Sequence, residues 1–122
     1  MIRLVLAGLV GAALLGCKSD AECERLRVDL AEAYGTLRES AGKRKLAGVD
    51  VAGWTAVEDK VALLESSFMT RRVTWQSAEK ARAELSGKLS GLQTDSPANL
   101  TGYRLSVDAA LKQQDEFTRR CR

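Results

Sequence analysis

The chain has 122 residues, about one domain's worth, with 45% hydrophobic and 29% charged residues. Histidine is absent, which excludes an imidazole base, a His-ligated metal and a histidine pH switch. A formal net charge of +3 is too small to indicate a nucleic-acid partner, and the length excludes the large enzyme folds.

Residues 1–16 read MIRLVLAGLVGAALLG. Arg3 is followed by an uncharged apolar run from Leu4 to Leu15, too short for a helix that spans a bilayer, which needs about 20 residues. A basic start, a short apolar stretch and small residues are the physics of a secretory signal. The run closes on Leu14-Leu15-Gly16-Cys17, which resembles the lipobox of bacterial lipoproteins. That resemblance covers residues 1–17 alone. It implies a signal peptide over 1–16, acylation of Cys17, and a lipid-anchored domain over 17–122. Several acyl chains, at about 0.8 kcal/mol per buried methylene, anchor stably where one chain is marginal. By the sorting behaviour of proteobacterial lipoproteins, Lys18 permits transfer to the outer membrane, facing the periplasm.

Export places the remaining cysteines, Cys23 and Cys121, where disulfides persist. One bridge is expected, closing a long loop and contributing up to about 4 to 5 kcal/mol in the chain-entropy account. A catalytic redox pair would be spaced as C-x-x-C, which this sequence lacks.

The rest of the chain reads as helix. Ser19-Asp20-Ala21-Glu22 has the capping-box pattern. Cys23, Leu26, Leu30, Ala33 and Leu37 then form one apolar stripe. The spacing predicts a first helix from about Asp20 to Ala41, ended by Gly42 and Lys43-Arg44-Lys45. Trp54, Val57, Val61, Leu64, Phe68, Trp75, Ala78, Leu85, Leu89 and Leu92 hold a single heptad phase, broken only by Arg71 and Arg82. This unbroken phase favours one long helix over about 52–92, although Thr70, Val73 and Thr74 are weak helix formers. After a polar turn at 93–96, Ser96-Pro97 offers an N-cap and a proline at the first helical position. Leu100, Tyr103, Val107, Ala110, Phe117 and Cys121 make the last stripe, with Gln114 in one of its slots. No segment reads as a strand, so the fold class is all-α.

The cysteines constrain the topology, because bridged Cα atoms lie within about 7 Å. Three equal helices running up, down and up would put Cys23 and Cys121 at opposite ends. A straight central helix of roughly 60 Å solves this if the outer two, about 27 and 35 Å at 1.5 Å per residue, meet along its middle. Alternatively the segment folds back near Arg71 and four helices alternate up and down. The heptad phase favours an antiparallel bundle or coiled coil with the long central helix, and the need for a shared core favours the four-helix bundle. Both gather Arg71, Arg72, Arg119, Arg120 and Arg122 near Cys23. That cluster could form a basic collar facing anionic head groups, at up to about 1 kcal/mol per charge, or simply complement helix dipoles.

Catalytic motifs are weak. Ser40-Ala41-Gly42-Lys43 and Ser77-Ala78-Glu79-Lys80 match S-x-x-K but lack the K-T-G and S-D-N partners of that enzyme class. Glu58-Asp59 and Asp115-Glu116 read as solvated faces, and Trp54 and Trp75 as core. The expectation is a non-enzymatic protein without metal or cofactor, held to the membrane through acyl chains on Cys17 and bound to another envelope protein. Pilotins are similar in organisation, in size, lipobox, helices and a cysteine pair only, with no shared sequence motif, and immunity lipoproteins are another member of this class. The alternative is a structural spacer or wall-associated rod, loosely like the heptad-rich murein lipoprotein. Unlike that family this chain ends Arg119-Arg120-Cys121-Arg122 rather than on lysine.

Overall fold

Four helices follow one another: α1 (Asp20–Leu46), α2 (Val51–Met69), α3 (Trp75–Ser90) and α4 (Pro97–Cys121). The structure, a computed structural model, describes residues 20–47, 49–92 and 97–122, and no strand occurs among them. The expected signal segment 1–16, Cys17, Lys18, the expected capping serine Ser19 and the expected turn 93–96 with Ser96 lie outside the described residues. Each helix is antiparallel to the next. Lys45 on α1 meets Glu58 on α2, Lys60 on α2 meets Glu84 on α3, and Arg82 on α3 meets Asp115 on α4. The circuit closes where Cys23 at the start of α1 joins Cys121 at the end of α4. The result is the four-helix bundle.

The long central helix expected over 52–92 is therefore corrected. Helix α2 stops at Met69, and Thr70 takes an extended conformation with φ −104° and ψ 153°. Four things favour the break. Thr70, Val73 and Thr74 are poor helix formers, and the Thr70 hydroxyl donates to the Arg72 carbonyl within the link. Arg27 from α1 donates through Nη1 to the Phe68 carbonyl at 2.6 Å, satisfying one of the orphan carbonyls of the last turn of α2. Folding back also lets α3 bury its apolar face on the core that α2 already faces. The heptad phase survives because both stripes face one core on either side of a short link. Arg71, which broke the pattern, lies in that link. Arg82, the other exception, pairs with Asp115 across to α4.

The core contains Tyr34, Leu64, Phe68, Leu85 and Val107, all essentially inaccessible to solvent. On α4 the expected stripe holds throughout: Tyr103, Val107, Ala110, Gln114 and Phe117 are buried, and Leu100 and Cys121 are half-buried. Pro97 opens the helix, as its fixed φ and missing N–H suit that position. On α1 the buried seam is Arg27, Leu30, Tyr34, Leu37 and Ala41, turned from the expected stripe so that Leu26 and Ala33 are only half-buried.

Helix α1 also runs past its expected end at Ala41, by more than a turn, to Leu46. Tertiary contacts hold that turn. The Arg44 guanidinium lies over the Trp54 and Tyr103 rings at 5.5 and 5.3 Å. Lys45 Nζ reaches Glu58 at 2.7 Å, so Glu58 is a packed ion-pair partner and not a solvated carboxylate. A two-step device repeats along the α1–α2 seam. Glu65 lies over Gly35 and bonds Arg38, and seven residues away along each helix Glu58 lies over Gly42 and bonds Lys45. A Cβ on Gly35 would sit 2.6 Å from the Glu65 carboxylate, so glycine there permits the acid to cross the helix face. Asp50, at φ 50°, caps α2 by accepting from the Gly53 N–H at 3.1 Å.

One polar pair is sealed inside. The Tyr34 hydroxyl donates to Gln114 Oε1 at 2.5 Å, and Gln114 is 1% exposed. Burial pushes the Tyr34 phenol well above its ordinary pKa, so it stays a neutral donor. Removing either partner should cost about 1 to 3 kcal/mol by stranding the other. Tyr34→Phe with Gln114→Leu should cost much less than the two singles together, and additive losses in urea unfolding would refute the coupling. Gly87 and Gly102 lie within helices with nothing inside 4 Å of an added Cβ. Gly87→Ala and Gly102→Ala should each therefore stabilise by about 0.5 to 1 kcal/mol, read as a raised thermal midpoint.

Candidate functional site at the disulfide end

The most built-up feature of the surface lies where the chain's described ends meet. The Cα atoms of Cys23 and Cys121 are 5.8 Å apart with their sulfurs at bonding distance, across 98 residues of sequence. The expected cysteine pairing is thus present. It follows from the even number of helices, which returns α4 to the end where α1 begins. Beneath it, Phe117 stacks on Trp75 at 5.5 Å and meets Phe68 edge-on at 5.8 Å. Tyr34 continues the aromatic column, 6.0 Å from Phe68.

Beside the disulfide opens a cavity of about 220 Å³, lined by Asp20, Glu24, Arg71, Trp75, Phe117 and the disulfide itself, together with Arg27 and Val73. Its charges are of both signs. Glu24 accepts from Arg27 Nε and Nη2 at 3.0 and 2.7 Å, and these bonds hold its carboxyl below the ordinary value of 4.5. Arg27 is 8% exposed, spent between Glu24 and the Phe68 carbonyl. Arg71 is the opposite case: its side chain is 86% exposed and its nearest approach to Glu24 is 3.9 Å.

The five arginines expected to form a collar divide into two groups. Arg71 and Arg72, both exposed, sit on the 70–74 link, and Arg119, Arg120 and Arg122 close the C-terminal end of α4. Three of them face acids. Arg71 approaches Glu24, Arg120 Nε lies 3.2 Å from Glu116, and Arg122 Nη1 lies 2.5 Å from Glu79. Arg122 also covers the Trp75 ring at 5.0 Å. Cys17, the expected lipidation site, lies outside the described residues. Trp75, read as core, is only half-buried and forms part of the cavity wall.

The sequence reading missed Asp20, Glu24 and Arg27. The i,i+3 spacing of Glu24 and Arg27 carried a signal of pairing. The carbonyl that holds Arg27 belongs to a helix end visible only once α2 stops at Met69. Among the described residues no three His, Cys, Asp or Glu side chains come together as a metal would require. Nor is any described helix long and apolar enough to cross a membrane.

Cys23→Ser with Cys121→Ser should lower stability by about 2 to 5 kcal/mol while keeping the helical spectrum, since the core of α4 is complete without the bridge. Reducing agent should destabilise the wild type by a similar amount and leave the double variant unmoved. A wild type insensitive to reductant would refute a stabilising bridge.

The chain matches no protein-family model, no curated protein and no solved structure.

Proposed function

We propose that this chain is a non-catalytic, lipid-anchored envelope protein whose helical bundle works as a protein-interaction or scaffold module, in the manner of pilotin-like accessory or immunity-type lipoproteins. The observation that carries the reading is the leader ending in Leu14-Leu15-Gly16-Cys17, three residues before α1 begins at Asp20. Acyl chains on Cys17 would hold the domain at a bilayer, facing the periplasm from the outer membrane if Lys18 directs sorting as expected. The disulfide suits an oxidising compartment. A bundle of this kind offers a partner rigid helix faces, and Val28 and Met69 stand exposed along a shallow groove between α1 and α2. The alternative spacer or wall-associated reading needs the reach of a long rod, and the reversal at 70–74 favours the compact module.

Metabolic labelling with a palmitate analogue should mark Cys17, and Cys17→Ser should abolish the label and release the protein from the membrane fraction. Crosslinking and affinity capture of the lipidated protein from its own envelope should recover one stoichiometric envelope protein. An unlabelled wild type would overturn the anchor. Recovery of only the protein itself or of peptidoglycan fragments would overturn the interaction module in favour of the structural reading.

A further inference from the structure

We infer that the cavity beside the Cys23–Cys121 bridge is a binding site for an amine–phosphate zwitterion, the chemistry of an ethanolamine phospholipid headgroup. The cavity holds complementary charges on a mainly polar lining. Arg71 presents a largely exposed guanidinium, a fork that matches the oxygens of a phosphate. Asp20 and Glu24 line the same space and can accept from a primary ammonium, which has three donors. Both oxygens of Glu24 already accept from Arg27, but a carboxylate has about four lone-pair sites, so acceptor capacity remains. Trp75 and Phe117 close the inner side of the cavity, but their stacked faces are already taken by each other and by Arg122, so recognition rests on the charged groups.

The mixed signs discriminate among headgroups. A purely basic collar would choose anionic lipid. Here Asp20 and Glu24 stand with Arg71 and Arg27 around one cavity, and that pairing of signs favours a ligand carrying both charges. A volume of about 220 Å³ suits a headgroup and not a whole lipid. The position of the cavity is what supplies the lipid. Cys17 is three residues from Asp20, so an acylated Cys17 could be no more than about 11 Å of extended chain away. The source of the ligand, a bilayer, rests on the proposed anchor; the chemistry of the pocket does not.

The test uses the full lipidated chain in phosphate-free detergent, titrated with glycerophosphoethanolamine and with glycerophosphoglycerol while 31P line widths are followed. Saturable broadening is expected for the ethanolamine ester, at least about fivefold tighter than for the glycerol ester. Arg71→Gln and Asp20→Asn, both at exposed positions, should each weaken it by about tenfold without moving the unfolding midpoint. Equal response to the two esters, or no saturation, would overturn the site. In a second arm, a photoactivatable phosphatidylethanolamine in phosphatidylcholine bilayers should label the segment around Val73–Trp75. Binding of the soluble ester without bilayer labelling would uphold the pocket and assign it a soluble amine–phosphate ester. Mass measurement of Cys17 separates the two readings: an unacylated Cys17 sinks the anchor while the ester titration still decides the pocket.

Discussion

Cys23 and Cys121 can be joined only if the chain finishes where it starts, and every larger feature of the bundle is compatible with that single closure. A helix of α1's length is about 40 Å long, so an odd number of equal crossings would leave the cysteines a molecule's length apart. The reversal at 70–74 makes the number even. It also brings Trp75 back beside Phe68, so that the aromatic column from Tyr34 through Phe68 to Phe117 and Trp75 ends against the bridge. Covalent closure and this aromatic column therefore reinforce the same end.

Polar groups then fix how the helices slide against one another. Apolar seams of period seven tolerate shifts of one turn, and a buried polar contact does not. Tyr34 to Gln114 sets α1 against α4, and the Tyr103 hydroxyl, donating to the Leu37 carbonyl at 3.0 Å, sets the same pair a second time. Arg27 on the Phe68 carbonyl sets α1 against α2, and Arg104, donating to the Leu89 carbonyl at 2.8 Å, sets α4 against α3. Two arginines thus cap the C-terminal ends of two neighbouring helices from a third and fourth. The glycine-seated acids Glu58 and Glu65 complete the register of α1 and α2.

The consequence for function is a division between the two ends. The closed end carries the disulfide, the mixed-charge cavity and the start of α1, into which the candidate anchor runs. The opposite end carries the α1–α2 turn, where Leu46 and Val51 are exposed above the Arg44, Trp54 and Tyr103 cluster. In the proposed reading the first end meets lipid and the remaining helix faces are left for a protein partner.

What the sequence determined by itself was local. Heptad spacing gave the helical class, Pro97 the start of α4, and the stripe from Leu100 to Cys121 every fully buried position of that helix, with only Leu111 added at the edge of the core, because a single uninterrupted period fixes one face without reference to neighbours. The two cysteines restricted the topology to two arrangements. The tertiary structure decided between them, since the cost of breaking a helix at Thr70 is small and local, whereas the gain from burying α3 against α2 is spread over residues far apart in sequence. It also decided the length of α1, whose last turn is held by Glu58, Trp54 and Tyr103, and the cavity, whose Asp20, Arg71 and Phe117 come from three separate segments. Periodicity reports which side of a helix is apolar. It carries no information about which distant carbonyl, carboxylate or ring will meet that side.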